Sequence, residues 1–137
     1  MVQSEITYQG QLRTQATHGP SEASILTDAP VDNRGKGEAF SPTDLVGVAL
    51  GSCILTLMGI TAQDNGWDLG ETRVSVSKHM KAQPMRHIAR LDLELRIPGE
   101  WSEQQREALE SSARGCPVMA SLGECVTVNL NFQWGAL

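Results

Sequence analysis

Aromatic residues are scarce in this chain of 137 residues, which holds three tryptophans, two phenylalanines and one tyrosine. So few rings leave little platform for stacking bases or planar cofactors, and the core must be aliphatic, built on Leu, Val, Ile and Ala. Basic charge is also short. Eleven Lys and Arg face sixteen Asp and Glu, and the net charge of -5 repels phosphate backbones, so nucleic acid is not an expected partner. Residues 1–10 lack the basic start and apolar stretch of a secretory signal, which predicts a reducing, cytoplasmic setting.

Cysteine is limited to Cys53, Cys116 and Cys125, too few in such a compartment for a disulfide framework. Neither the cysteines nor His18, His79 and His87 show paired ligand spacing such as C-x-x-C or H-x-x-x-H. A metal site is therefore not expected, and the histidines read as surface or strand-face residues. Gly35-x-Gly37 lacks the lysine and threonine that follow in a phosphate cradle, so no nucleotide cofactor is implied. Internal repeats and low-complexity stretches are absent, and the length suits a single domain over residues 1–137.

What is present organises around one long helix. Ile6-Thr7-Tyr8 and Ala23 to Thr27 read as two short strands of a hairpin, broken by His18-Gly19-Pro20, and Asp28 to Glu38 as a surface loop. Ser41-Pro42-Thr43-Asp44 is a helix start: Ser41 caps, Pro42 suits the first helical position and Asp44 favours the positive end of the dipole. No charged residue follows until Asp64, and Asn65-Gly66 should end the helix. A helix apolar around its circumference must be wrapped by protein or placed in lipid. Gly47-x-x-x-Gly51 permits close backbone approach, but acidic flanks, three glycines and a length that barely spans disfavour the membrane alternative.

Strands are predicted at Arg73 to Lys78 and Ala89 to Ile97, the second burying Leu91, Leu93, Leu95 and Ile97 on one face. Pro98-Gly99 ends it, and Ser102 with Gln105 forms a capping box for a peripheral helix reaching about Arg114, with Ala108, Leu109 and Ala113 as its apolar stripe. The last strand, Val126 to Trp134, alternates cleanly, and Cys125 reads as a strand residue on its other face. This order of elements argues an α+β fold with sheets covering a central helix. A second chain is expected to hide the helix fully.

Two cysteines stand in opposite settings. Cys116 precedes Pro117 and a helical turn, so it takes an N-cap position where amides and the dipole can lower a thiol pKa, but on this Cys-Pro pair alone the neutral capping thiol is the favoured reading. Cys53 lies mid-helix among Leu50, Ile54 and Leu57 and needs a cation from another segment to react, with Arg13, Arg34 and Lys36 as candidates. Brought together, the two would form a reactive pair.

Taken together, Phe40-Ser-Pro-Thr-Asp-Leu-Val-Gly-Val-Ala-Leu-Gly-Ser-Cys53 and the later Cys116-Pro117-Val118 resemble the OsmC/Ohr family of osmotically inducible and organic hydroperoxide resistance proteins. The likeness covers nearly the whole chain. It implies an intertwined homodimer, with two-layer sheets wrapped around long central helices, and cysteine-dependent reduction of organic hydroperoxides. Cys53 would be the peroxidatic cysteine and Cys116 the resolving one, with a dithiol such as a lipoylated protein as reductant. Two departures stand out. Thr43 occupies the position of the family's glutamate, leaving Asp44 as the neighbouring acid, and the family's activating arginine is matched first by Arg13 and then by Arg34. The alternative function is a dimer for thiol sensing or small-molecule binding with little turnover.

Overall fold

The computed structural model describes residues 1–135, so the last two residues of the single-domain span lie outside the described residues. The chain divides into two compact units, Met1–Val46 and Gly47–Leu137.

The first unit is an antiparallel meander of β1 (Ser4–Gly10), β2 (Arg13–His18) and β3 (Ser24–Asp28), in the order β1-β2-β3. The expected two-stranded hairpin is therefore corrected to three strands. The missing one is β2, which follows a tight turn with Gln11 at φ 55° and Leu12 at φ 64°. Both residues sit in the left-handed region that hairpin turns demand, a conformation usually signalled by Asn or Gly. Beyond β3 the chain makes one 3₁₀ turn, Val31–Asn33, within the expected surface loop.

Helix α1 runs Pro42–Asn65, with the start and stop expected of its sequence. The Ser41 hydroxyl accepts the Asp44 amide at 3.1 Å, and the Asp44 carboxylate accepts the Ser41 amide at 2.9 Å, closing a reciprocal cap. Gly66, at φ 69°, ends the helix.

In the second unit β4 (Arg73–Lys81) and β5 (His87–Ile97) are antiparallel, and β6 (Thr127–Trp134) joins β5 in parallel. A parallel neighbour requires a crossover, supplied by α2 (Glu103–Arg114) and α3 (Pro117–Ser121). Leu91, Leu93, Leu95 and Ile97 of the central strand are all buried, as their alternation requires. Against that face lies the stripe Gly47, Leu50, Gly51, Ile54, Met58 and Ala62 of α1. A methyl group on Gly47 would come 3.1 Å from Val76, and one on Gly51 would come 3.2 Å from both Val74 and Val76. The glycine spacing thus serves helix-on-sheet packing.

The opposite sheet face is polar. Asp92 on β5 ties the three strands together, accepting from Asn129 of β6 at 2.8 Å and Arg90 at 2.9 Å, and pairing with His79 of β4 at 2.9 Å. Its carboxyl is held below the usual range, chiefly by the Asn129 amide. Helix α2 carries the expected Ser102–Gln105 capping box and buries Leu109 and Ala113. Strand boundaries move: β4 runs on to Lys81, β5 starts at His87, and β6 starts at Thr127, so Cys125 lies in an exposed turn and not on a strand face.

Candidate functional site

The second unit brings two of the four candidate residues together. Cys53 is half-buried in the middle of α1, two residues after Gly51, where close packing on β4 and β5 fixes the helix axis. Cys116 caps α3, its sulfur accepting the Met119 amide at 3.4 Å, and is only 1% exposed. Pro117 at the first helical position pre-sets the turn and leaves the cap to the thiol.

The direction of the Cys116 titration agrees with the neutral capping thiol and not with a cap-lowered one. Burial pushes the thiol up, hydrogen bonding to Cys53 and the repulsion of charge on Cys53 push it further, and the Met119 and Val118 amides oppose this only in part. Dehydration outweighs the helix terminus because a short helix offers few amides and the sulfur is sealed from water. Cys116 therefore keeps its proton beside Cys53. Both thiols are free, as is the exposed Cys125. Such a pair can pass between dithiol and disulfide without recruiting a third sulfur.

The other two candidates, Arg13 and Asp44, belong to the first unit. Asp44 closes the helix cap with Ser41, and Thr43 places its hydroxyl 3.2 Å from that of Ser41. Arg13 opens β2 directly across from Asp28 at the end of β3. Its guanidinium donates to Asp28 at 3.5 Å and to Glu38. Asp28 is 1% exposed, and its carboxyl sits below the usual range: the Glu38 amide, 2.9 Å away, is the largest cause, burial opposes it, and the Arg13 charge adds to it. Glu38 in turn, with Asp28, holds Arg13 more firmly charged.

Asp28 and Glu38 are partners that the sequence reading missed. The signal was present in part, since an acid at the end of β3 opposite an arginine at the start of β2 is a cross-strand pair once β2 is recognised. Arg34, the second candidate cation, is exposed in the loop with φ 71° and Lys36 is exposed beside it.

The second unit of this α+β chain thus sets a helix-borne thiol against a capping thiol. The family model described as OsmC-like protein matches residues 35–131. This chain belongs to that family. It is similar to the crystal structure of a protein from Psychrobacter arcticus 273-4 described as an osmotic stress induced and detoxification response protein. The two are 41% identical, the match covers 97% of this chain and 96% of that one, and the TM-score is 0.92. It shares its fold with an organic hydroperoxide resistance protein OsmC from Legionella pneumophila at 18% identity, covering 97% and 96% of the two chains with a TM-score of 0.77. The OsmC like protein from Mycoplasma pneumoniae is 15% identical over 98% and 96%, with a TM-score of 0.81. No curated protein matches the chain significantly.

Proposed function

We propose that this protein is a cysteine-dependent peroxidase that reduces organic hydroperoxides in peroxide defence. The observation that carries the reading is the meeting of Cys53 with a protonated, buried Cys116. Membership of the family and the hydroperoxide-resistance name of the Legionella relative support a redox role of this kind.

In the proposed cycle the Cys53 thiolate attacks the distal peroxide oxygen, the O–O bond breaks, and Cys53 becomes a sulfenic acid while the alkoxide takes up a proton to leave as an alcohol. The Cys116 thiol then attacks the sulfenic sulfur, releasing water and forming the Cys53–Cys116 disulfide. A dithiol, such as a lipoyl group, returns both cysteines to thiols and leaves as its own disulfide. The retained proton on Cys116 suits this order, because a protonated partner waits without competing for the peroxide.

Arg13 is the proposed activating cation. With Thr43 unable to carry a charge, the carboxylates that hold Arg13 are Asp28 and Glu38. Asp44 is assigned to the helix start. The same position favours the second reading, thiol sensing or small-molecule binding with little turnover, and substitution separates the two: a slow wild type that Thr43→Glu accelerates supports the second reading.

A cytoplasmic homodimer completes the proposal. Among the described residues, α1 is the one helix long and apolar enough to cross a membrane by length and composition. Its outer side leaves Val48 43% and Ile60 49% exposed, and a second copy would cover them. Light scattering after detergent-free purification reads a dimer if this is right and extraction only by detergent if it is wrong.

The deciding experiment treats reduced protein with tert-butyl hydroperoxide and maps disulfides by mass spectrometry. A Cys53–Cys116 linkage formed within one turnover is expected; persistence of both free thiols overturns the proposal.

A further inference from the structure

The chain has few rings, yet all three tryptophans gather at one end of the second unit, where α1 gives way to β4, β5 to α2, and β6 ends. Trp67 and Trp101 meet edge to face, 6.2 Å apart at 77°, and Trp101 continues to Trp134 at 6.1 Å and 57°. None of the three is fully buried. Trp67 and Trp101 line an open notch of about 250 Å³ together with Pro98, Asp68, Glu100 and Gln105.

Two features of this notch fit a ligand of one kind. It is lined by two indoles at near right angles and by two carboxylates. Neither Asp68 nor Glu100 forms a salt bridge among the described residues; Asp68 accepts the Gly70 amide at 2.8 Å, which fixes its position. The arginines that stack on rings do so elsewhere: Arg106 lies 5.7 Å from the centre of the Trp134 ring and donates to the Trp101 carbonyl at 3.1 Å, and Arg114 lies over Phe132. The indole pair in the notch thus has no arginine or lysine of the chain stacked on it among the described residues. Trp101 is also anchored, its ring N–H donating to the Pro98 carbonyl at 2.7 Å, so the corner is preformed.

The geometry points to a binding site for a small alkylammonium ion, held by cation–π attraction to Trp67 and Trp101 and by the charges of Asp68 and Glu100. A methylated ammonium suits the walls better than a hydrated inorganic cation, because its methyl groups shed water cheaply onto indole and proline while its spread charge still meets the ring quadrupoles. The site is separate from the thiol pair and does not depend on the proposed peroxidase activity.

The test is titration of the full-length protein with tetramethylammonium chloride at constant ionic strength, followed by the three indole N–H resonances. The Trp67 and Trp101 signals should move saturably and the Trp134 signal much less. tert-Butanol, of similar size and neutral, should bind about threefold to thirtyfold more weakly, the share expected of a cation–π contact. Asp68→Asn with Glu100→Gln, both on the surface, should weaken the ammonium and leave tert-butanol unchanged, and Trp67→Leu should weaken both. Equal binding of the alcohol, indifference of the ammonium to the carboxamide pair, or no saturable shift at Trp67 and Trp101 would each overturn the site.

Discussion

The two units hold their chemical groups by opposite means. In the first, Arg13, Asp28 and Glu38 form an ionic cluster, and backbone amides of the following loop help to keep Asp28 charged. In the second, Cys53 and Cys116 meet with aliphatic packing around them, and burial keeps Cys116 neutral. One setting favours charge through donors supplied by the main chain, and the other suppresses it by excluding water. Asp28 and Cys116 are equally hidden yet shift in opposite directions, because the Glu38 amide outweighs burial at the carboxylate whereas burial outweighs the Met119 and Val118 amides at the thiol.

The sharpest break in this comparison comes from the sulfur side. Cys53→Ser should cut dithiol-driven consumption of tert-butyl hydroperoxide by ~1000-fold or more, as loss of a nucleophile does elsewhere. Cys116→Ser should instead leave a sulfenic acid on Cys53 that dimedone labels, detected as a mass adduct. Next in size is the buried face of the central strand. Leu95→Ala should destabilise the protein by about 2–5 kcal/mol in urea unfolding, because its site on the central strand is fully enclosed.

The ionic side is tested by acid. A carboxyl whose folded pKa is depressed contributes stability that is present above the unfolded value and lost as pH falls through the folded one. Asp28→Asn should therefore lower the melting temperature near neutral pH and flatten its fall in acid. Cys116 runs the other way: with its folded pKa raised, its contribution is complete below the ordinary thiol range and fades as pH rises through the folded value. Cys116→Ser should remove that alkaline decline. The smallest effect belongs to Cys125→Ser, within about 0.5 kcal/mol in the same urea assay, since the residue is exposed in a turn.

Much of this architecture is legible in residue order. Ser41-Pro42 marks the start of α1, the alternation of Leu91 to Ile97 marks the buried strand, and Cys116-Pro117 marks a capping thiol, because each depends on neighbours in the chain. Strand β2 is hidden since Gln11 and Leu12 adopt a left-handed turn without the residues that usually announce one. The partners of Arg13 lie fifteen and twenty-five residues away, and only strand register brings them into reach. The direction of the Cys116 shift needs the depth of burial, which local sequence does not contain. Clean alternation also ran one residue past the true ladder at Val126, which misplaced Cys125.

Gly51 gives this fold an unexpected gauge. A methyl group there would come 3.2 Å from both Val74 and Val76, so those side chains or the helix, two residues before Cys53, must give by a few tenths of an ångström. Under the proposed cycle, an alanine at that spot should slow disulfide closure although all three cysteines are retained.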